Sequence, residues 1–263
     1  MKQNPPDEYV IKIRVWGSLN IFLPPSRKYR VFSYQIKGHP SVKDTIEAVG
    51  VPHTEIDGLL INGRPVDFFY QLKEGDHLEA YPYGYKFFGL SGFTLSDCRK
   101  IKHLSPSIPS RARFVVDSHL GKLARHLRLL GFDSVYKKVF PDSEILQIAL
   151  REKRIVLTRD IGLLKNKRLT HGYWLHSADP QRQIKEVLKR FDLELKVRPF
   201  QRCLECNGRI VKVAKKRIIH LLAADTRTYF RQFYLCRACE KVYWQGSHYD
   251  RLKKLVDSCL FSG

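Results

Sequence analysis

Two Cys-x-x-Cys pairs, Cys203/Cys206 and Cys236/Cys239, constrain this chain more than any other feature it carries. At this spacing one tight turn presents two sulfurs to the same point. Two such turns supply four thiolates, enough to close a tetrahedral Zn²⁺ site. A closed site ties backbone segments together and leaves no coordination position for a substrate. The spacing therefore predicts a structural zinc at Cys203, Cys206, Cys236 and Cys239, with the chemistry sought upstream. The competing reading is disulfides or unrelated thiols. The 29 residues between the pairs include VKVAKKRIIHLL, basic and strand-like, and RLKKLVDSCLF near the end has the pattern of a short amphipathic helix.

At 263 residues, 43% of them hydrophobic, the chain is long enough for two or three domains with real cores. No apolar run approaches the roughly 18 residues that span a bilayer, and MKQNPPDEYV lacks the apolar segment of a signal peptide. No membrane partner is expected. With two further cysteines, Cys98 and Cys259, the expected location is the reducing cytoplasm. Charge is unevenly placed. Residues 1–85 carry 10 Lys and Arg against 10 Asp and Glu, whereas residues 86–263 carry 37 against 16, so the whole formal excess of +21 lies in the second region. Such a surface attracts a polyanion, and nucleic acid is the expected candidate. The bland reading is a basic surface that serves solubility.

In the first region, YVIKIRVW and RVFSYQI read as strands and SVKDTIEAVG as a helix with Ser41 as N-cap and Gly50 as its stop. GLLINGRPV carries an Asn62-Gly63 hairpin turn, and HLEAYP is a last strand. The segments SVKDTIEAVGVP, INGRPV and LKEGDHLEAYP resemble the β-grasp fold of ubiquitin and the small sulfur carriers. The carriers end in Gly-Gly. Here the matching place reads Tyr83-Gly84-Tyr85 and 178 residues follow, so a docking role toward a protein partner is expected in place of carrier chemistry. The expected domains are a ubiquitin-like unit over 1–85, a linker over 86–112, an α/β domain over 113–199, and a zinc unit with a tail over 200–263.

Residues 113–191 alternate strand and helix. RFVV, SVYK, RIVLT and YWLH read as strands, and the βαβαβ order implies a parallel sheet with helices on its faces. Leu120, Leu123, Ala124, Leu127 and Leu130 form the core face of a helix that Ser118 is placed to cap and Gly131 to end. In an open parallel sheet, ligands bind beyond the carboxyl ends of the strands. Asp117 follows the first strand, Asp142 and Glu144 open the helix after the second, and Asp160 follows the third. Carboxylates that converge repel one another unless a cation joins them. Oxygen donors of this kind suit Mg²⁺ or Mn²⁺, ions that activate water and stabilise charge on a phosphodiester oxygen. Asp179, before Pro180, is a further candidate. Each acid has a second reading: a helix cap for Asp117, Asp142, Asp160 and Asp179, a helix-dipole partner for Glu144. Lys122, Arg125, Arg128 and Arg159 lie near the acids in sequence and are candidates to grip phosphates, or a solvated face. His119, beside Asp117, is the one histidine placed for a role. No GxSxG, P-loop or GxGxxG motif occurs.

FVVDSHLGKLARHLRLLGFDSVY, DSEILQIALREKRIVLTRD and RCLECNGRI…FYLCRACEKVYWQGSHYDRLK together resemble the Mut-seven C-terminal RNase domain family, a PIN-like nuclease fold joined to a zinc ribbon. The β-grasp unit is a recurrent companion in that family's bacterial members. The resemblance implies Asp117, Asp160 and Glu144 or Asp142 as metal-binding acids and the four paired cysteines as zinc ligands. It implies a hydrolase, a Mg- or Mn-dependent ribonuclease, acting on structured RNA such as tRNA or rRNA. The alternatives are a catalytically inactive RNA-binding module associated with tRNA or ribosomes, and an adaptor built around the β-grasp unit.

Overall fold

A computed structural model of the chain describes residues 8–85, 103–104 and 112–260. The expected linker over 86–112 lies outside the described residues except at 103, 104 and 112. Two compact units emerge. One gathers residues 8–85, 103–104 and 160–174, and the other gathers 112–159 and 175–260. No helix among the described residues is long and apolar enough to cross a membrane.

The first unit opens with β1 (Glu8–Val15), β2 (Phe32–Lys37), α1 (Val42–Val49), β3 (Ile56–Ile61), β4 (Arg64–Pro65) and β5 (His77–Pro82). The sheet order is β2-β1-β5-β3-β4, with β1 parallel to β5 and the other neighbours antiparallel. In β1, Ile11, Ile13 and Val15 are buried at period two while Val10 faces solvent. Ser41 caps α1 as expected: its hydroxyl oxygen accepts from the Asp44 N–H at 3.2 Å and its O–H donates to the Asp44 carboxylate at 2.7 Å. Val42, Ile46 and Val49 on α1 join Ile11, Ile13, Ile36 and Leu78 in one core. Asn62 and Gly63, at φ 51° and 76°, make the two-residue turn between β3 and β4. This is the expected ubiquitin-like architecture.

The second unit begins with β6 (Arg113–Val116), α2 (Gly121–Leu129), β7 (Asp133–Tyr136), α3 (Asp142–Glu152) and β8 (Ile155–Thr158). β6 lies between β7 and β8, parallel to both. Phe114 to Val116 and every residue of β8 are buried, as a parallel sheet covered on both faces requires. The core face read for α2 holds, since Leu120, Leu123, Ala124, Leu127 and Leu130 are all buried. Gly131, at φ 94°, ends that helix, and a Cβ there would sit 2.1 Å from the Arg198 carbonyl oxygen. The close approach exists because Arg198 and Phe200 donate backbone hydrogen bonds to Leu130 and Leu129, both at 2.9 Å.

The chain next contributes α4 (Ile161–Leu164) and β9 (Gly172–Trp174) to the first unit. There Lys167 pairs with Asp44 at 2.9 Å, Lys43 donates to the Lys167 carbonyl at 3.1 Å, and the Trp174 N–H donates to Glu55 at 2.6 Å. His53 bridges Glu47 and the Leu169 carbonyl at 2.5 and 2.8 Å. The turn between α1 and β3 thus grips residues 160–174 by buried and half-buried polar contacts.

Back in the second unit, α5 (Pro180–Arg190) buries Ile184, Val187 and Leu188. A zinc-ribbon-like region follows, with β10 (Ile210–Val213), α6 (Lys215–Ile218), α7 (Ala224–Tyr229), β11 (Phe233–Cys236), β12 (Val242–Trp244) and α8 (Ser247–Leu260). Its strands form an antiparallel sheet in the order β10-β11-β12 over a small core of Ile218, Leu222 and Phe233. The strand reading of VKVAKKRIIHLL holds only to Val213. Ala214-Lys-Lys-Arg favours helix, and α6 begins there.

Candidate functional site

The two Cys-x-x-Cys turns are built alike. In each, the N–H of the first cysteine donates to the carbonyl five residues on (Cys203 to Gly208 at 2.8 Å, Cys236 to Lys241 at 3.0 Å). In each, the residue after the second cysteine has positive φ, Asn207 at 69° and Glu240 at 56°, and returns a 3.0 Å bond to the first cysteine's carbonyl. An N–H also points at one sulfur per turn, Gly208 at Cys206 and Ala238 at Cys236, both at 3.4 Å. These bonds fix the backbone of both turns and orient one sulfur in each.

The four ligand atoms lie within 4.8 Å of one another. Cys203 and Cys239 are 3.6 Å apart and Cys206 and Cys236 3.4 Å, far beyond a disulfide bond of about 2.05 Å. A tetrahedron with metal–sulfur bonds of about 2.3 Å has edges of about 3.8 Å, so the cluster can hold a metal such as zinc. Burial raises the Cys203 thiol, but the Cys206 and Glu205 backbone and the Tyr243 hydroxyl outweigh it and hold the thiol down to about 7. Burial is also the largest influence on Cys206, which is pushed up to about 12, and it raises Cys239. Four crowded thiols cannot all ionise without a cation, which is the chemistry of a metal-demanding site.

Three further residues support this cluster, and the sequence pattern singled out neither Tyr243 nor Asp133. Tyr243 places its hydroxyl 3.0 Å from the Cys203 sulfur. Asp133, at the start of β7, accepts from Arg154 at 2.7 Å, Arg202 at 2.9 Å and Asn207 at 2.8 Å, and so joins the first turn to the central sheet. Arg128 is a correction. It was expected to grip phosphate, yet it is 3% exposed and donates to the carbonyls of Ser134, Leu204 and Glu205 at 3.0, 3.0 and 2.6 Å. Burial lowers its pKa and the nearby sulfurs of Cys203 and Cys206 raise it, so the guanidinium is placed to offset the negative charge that a tetrathiolate metal would carry. The Cys-Asn-Gly run at 206–208 held a signal, because Asn tolerates the positive φ found there.

The carboxylates are arranged otherwise. Asp117 continues the β6 ladder, donating its N–H to Leu157 at 3.0 Å, and its side chain is 6% exposed. Oδ2 accepts from the Thr158 hydroxyl at 2.6 Å and Oδ1 from the Ser118 hydroxyl at 3.1 Å. Asp117 makes no side-chain cap bond, and no Lys, Arg or His among the described residues forms an ion pair with it. Ser118, expected to cap the helix, turns its hydroxyl to Asp117 instead. Glu144 in the first turn of α3 pairs with Lys137. Asp142 is the first residue of α3, after an N-cap at Pro141, and is exposed. Asp160 is the N-cap of α4 and accepts from the Gly162 N–H at 2.7 Å. Asp179 caps α5 by accepting from the Gln181 and Arg182 N–H groups. Among the described residues, the cysteines are the one group of three or more His, Cys, Asp or Glu whose ligand atoms come within 4.8 Å of one another.

Of the remaining basic candidates, Lys122 and Arg159 are exposed, and Arg125 is half-exposed and paired with Glu205 at 3.2 Å. His119 is exposed. Two family models match the chain: Mut7-C RNAse domain over residues 112–256 and Mut7-C ubiquitin over residues 8–87. No curated protein and no solved structure shows significant similarity to it.

Proposed function

The chain belongs to the Mut7-C RNAse domain family, and on that premise we propose that it is a metal-dependent ribonuclease. The observation that supports this most is Asp117. A carboxylate at the carboxyl end of the central strand, buried among hydroxyl donors and with no cation paired to it among the described residues, is stabilised by a positive charge that joins it. Hard oxygen donors fit Mg²⁺ or Mn²⁺. When bound, such an ion supplies a Lewis acid that activates water and neutralises charge on the phosphate. Asp117 would hold it, with Glu144 and Asp160 as further ligands and Asp142 as a fourth. Thr158 and Ser118 orient the Asp117 oxygens. Lys122, Arg125 and Arg159 would bind RNA phosphates, with structured RNA such as tRNA or rRNA as substrate and the cytoplasm as location. The cysteine cluster would hold zinc in a structural role.

RNA cleavage by wild type, Asp117→Asn and Asp160→Asn, with Mn²⁺ and with a chelator, tests the mechanism, with zinc content measured in parallel. Asp117→Asn is expected to lower cleavage at least about 100-fold, since metal stabilisation of a transition state is worth several kcal/mol. Equal cleavage by all three proteins would remove it. A second reading, RNA binding without catalysis, is favoured by the Lys137 pairing of Glu144 and the capping bond of Asp160. Tight, salt-sensitive binding with no cleavage under any divalent ion would establish it.

A further inference from the structure

A cavity of about 620 Å³ opens in the second unit beside the cysteine cluster. Aromatic rings form part of its wall. Trp244 and Phe230 meet at 6.2 Å between ring centroids, and Phe200 and Tyr249 at 4.7 Å. Trp244, the last residue of β12, remains 38% exposed although it is the largest side chain there. At the rim, Arg125 and Lys241 both pair with Glu205, at 3.2 and 3.1 Å. Two cations on one exposed carboxylate leave an excess positive charge at the mouth, and both pairs are solvent-screened and easily exchanged for a phosphate.

Apolar walls that expose flat rings, a volume within the roughly 300–1,000 Å³ of ligand sites, and a cationic rim meet the requirements of one ligand chemistry. That chemistry is a planar heterocycle carried on a phosphate backbone. Aromatic side chains take splayed-out bases by stacking, while Arg and Lys hold the neighbouring phosphates. A base inside a duplex cannot enter such a cavity. We infer that this cavity binds an unpaired base of an RNA strand, stacked on Trp244 with its phosphate at Arg125 and Lys241, so that the protein engages single-stranded RNA. This deepens the ribonuclease reading by assigning the unpaired segments of its RNA substrate as the part held here, and rests on that reading only for the identity of the polymer.

The test uses the full-length protein without added divalent ion, so binding is read independently of cleavage. A fluorescent 12-nucleotide oligouridylate and a blunt RNA duplex of equal length serve as probes, with zinc content checked for every variant. The expected result is tighter binding of the single strand, quenching of tryptophan emission in wild type but not in Trp244→Phe, and a loss of about fivefold or more in Trp244→Ala. Trp244→Phe should retain most of the affinity, and Lys241→Gln should lower it and flatten its salt dependence. If Trp244→Ala lost zinc, the Trp244→Phe quenching and Lys241→Gln arms would decide. Unchanged single-strand affinity in zinc-replete Trp244→Ala, or equal binding of duplex and single strand, would overturn the inference, as would binding of an aromatic peptide in place of RNA. An inactive Asp117 site with intact Trp244-dependent binding would sink the nuclease reading and leave this one standing.

Discussion

The cysteine cluster and the carboxylate region are both collections of anionic ligands, yet they differ in what holds them. Each cysteine pair is fixed by bonds spanning five residues, repeated in both turns, and the sulfurs face one point. The acids come from the ends of separate strands and helices, and each has a local role open to it. Asp160 and Asp179 cap helices and Glu144 pairs with Lys137, whereas Asp117 is held by hydroxyls with no cation paired to it among the described residues. Closely spaced ligands on one turn carry their geometry with them. Ligands gathered from afar need the whole fold, and a charged partner, to converge.

The largest expected effect breaks the first side of this comparison. Cys236→Ser removes a thiolate from the cluster, whose folding zinc binding would support. Metal analysis should fall from about one zinc per chain to near zero, with cooperative loss of the β10-β11-β12 region by hydrogen exchange. Retained zinc and unchanged exchange would mean that the turns hold without metal. Asp117→Asn should leave that exchange pattern unaltered.

Arg128 and Arg125 lie three residues apart on α2 and separate the supporting role from the proposed binding one. Arg128→Ala strips charged donors from three carbonyls and is expected to cost roughly 2–4 kcal/mol in denaturant unfolding. Arg125→Ala breaks a half-exposed pair and should cost about 0–1 kcal/mol while weakening RNA binding. Similar stability losses in both variants would erase the distinction.

The elements that periodicity governs were legible. The α2 face, the Asn62-Gly63 turn and the Ser41 cap follow from local rules, because each depends on residues within one turn of another. The cysteine cluster was legible for the same reason. Arg128 was misread because helical spacing sets a face but not what covers it, and here the chain around Leu204 and Glu205 folds over it. Thr158 was not singled out because a hydroxyl ending an apolar strand has no spacing signal. Its meaning arises only when β8 lies beside β6. The aromatic cavity draws on residues from 125 to 252, so no window of sequence contains it.

Asp133 offers a pH-dependent test of how the cysteine region is joined to the sheet. Burial raises its pKa, but Arg154, Asn207 and Arg202 outweigh it and hold the carboxyl below its ordinary range. A folded pKa below the unfolded value near 4 means that this group's stabilisation is complete above about pH 4 and fades as pH falls through the lower folded value. Asp133→Asn should lower stability by about 2 kcal/mol at pH 7 and lack that acid slope, so the two proteins converge in strong acid. Parallel pH curves would show that the ion pairs add nothing.

The smallest effect probes the carboxylate side alone. Lys137→Ala removes the exposed partner of Glu144, and such pairs contribute about 0–1 kcal/mol, so the melting temperature should barely move. If Glu144 is a metal ligand, releasing it from a competing cation should tighten Mn²⁺ binding a few-fold, read by calorimetry on the zinc-loaded protein. Unchanged Mn²⁺ affinity would confine Glu144 to a surface pair and leave Asp117 with at most Asp142 and Asp160 to call on. The carboxylates would then differ from the cysteines in ligand number as well as in the means that position them.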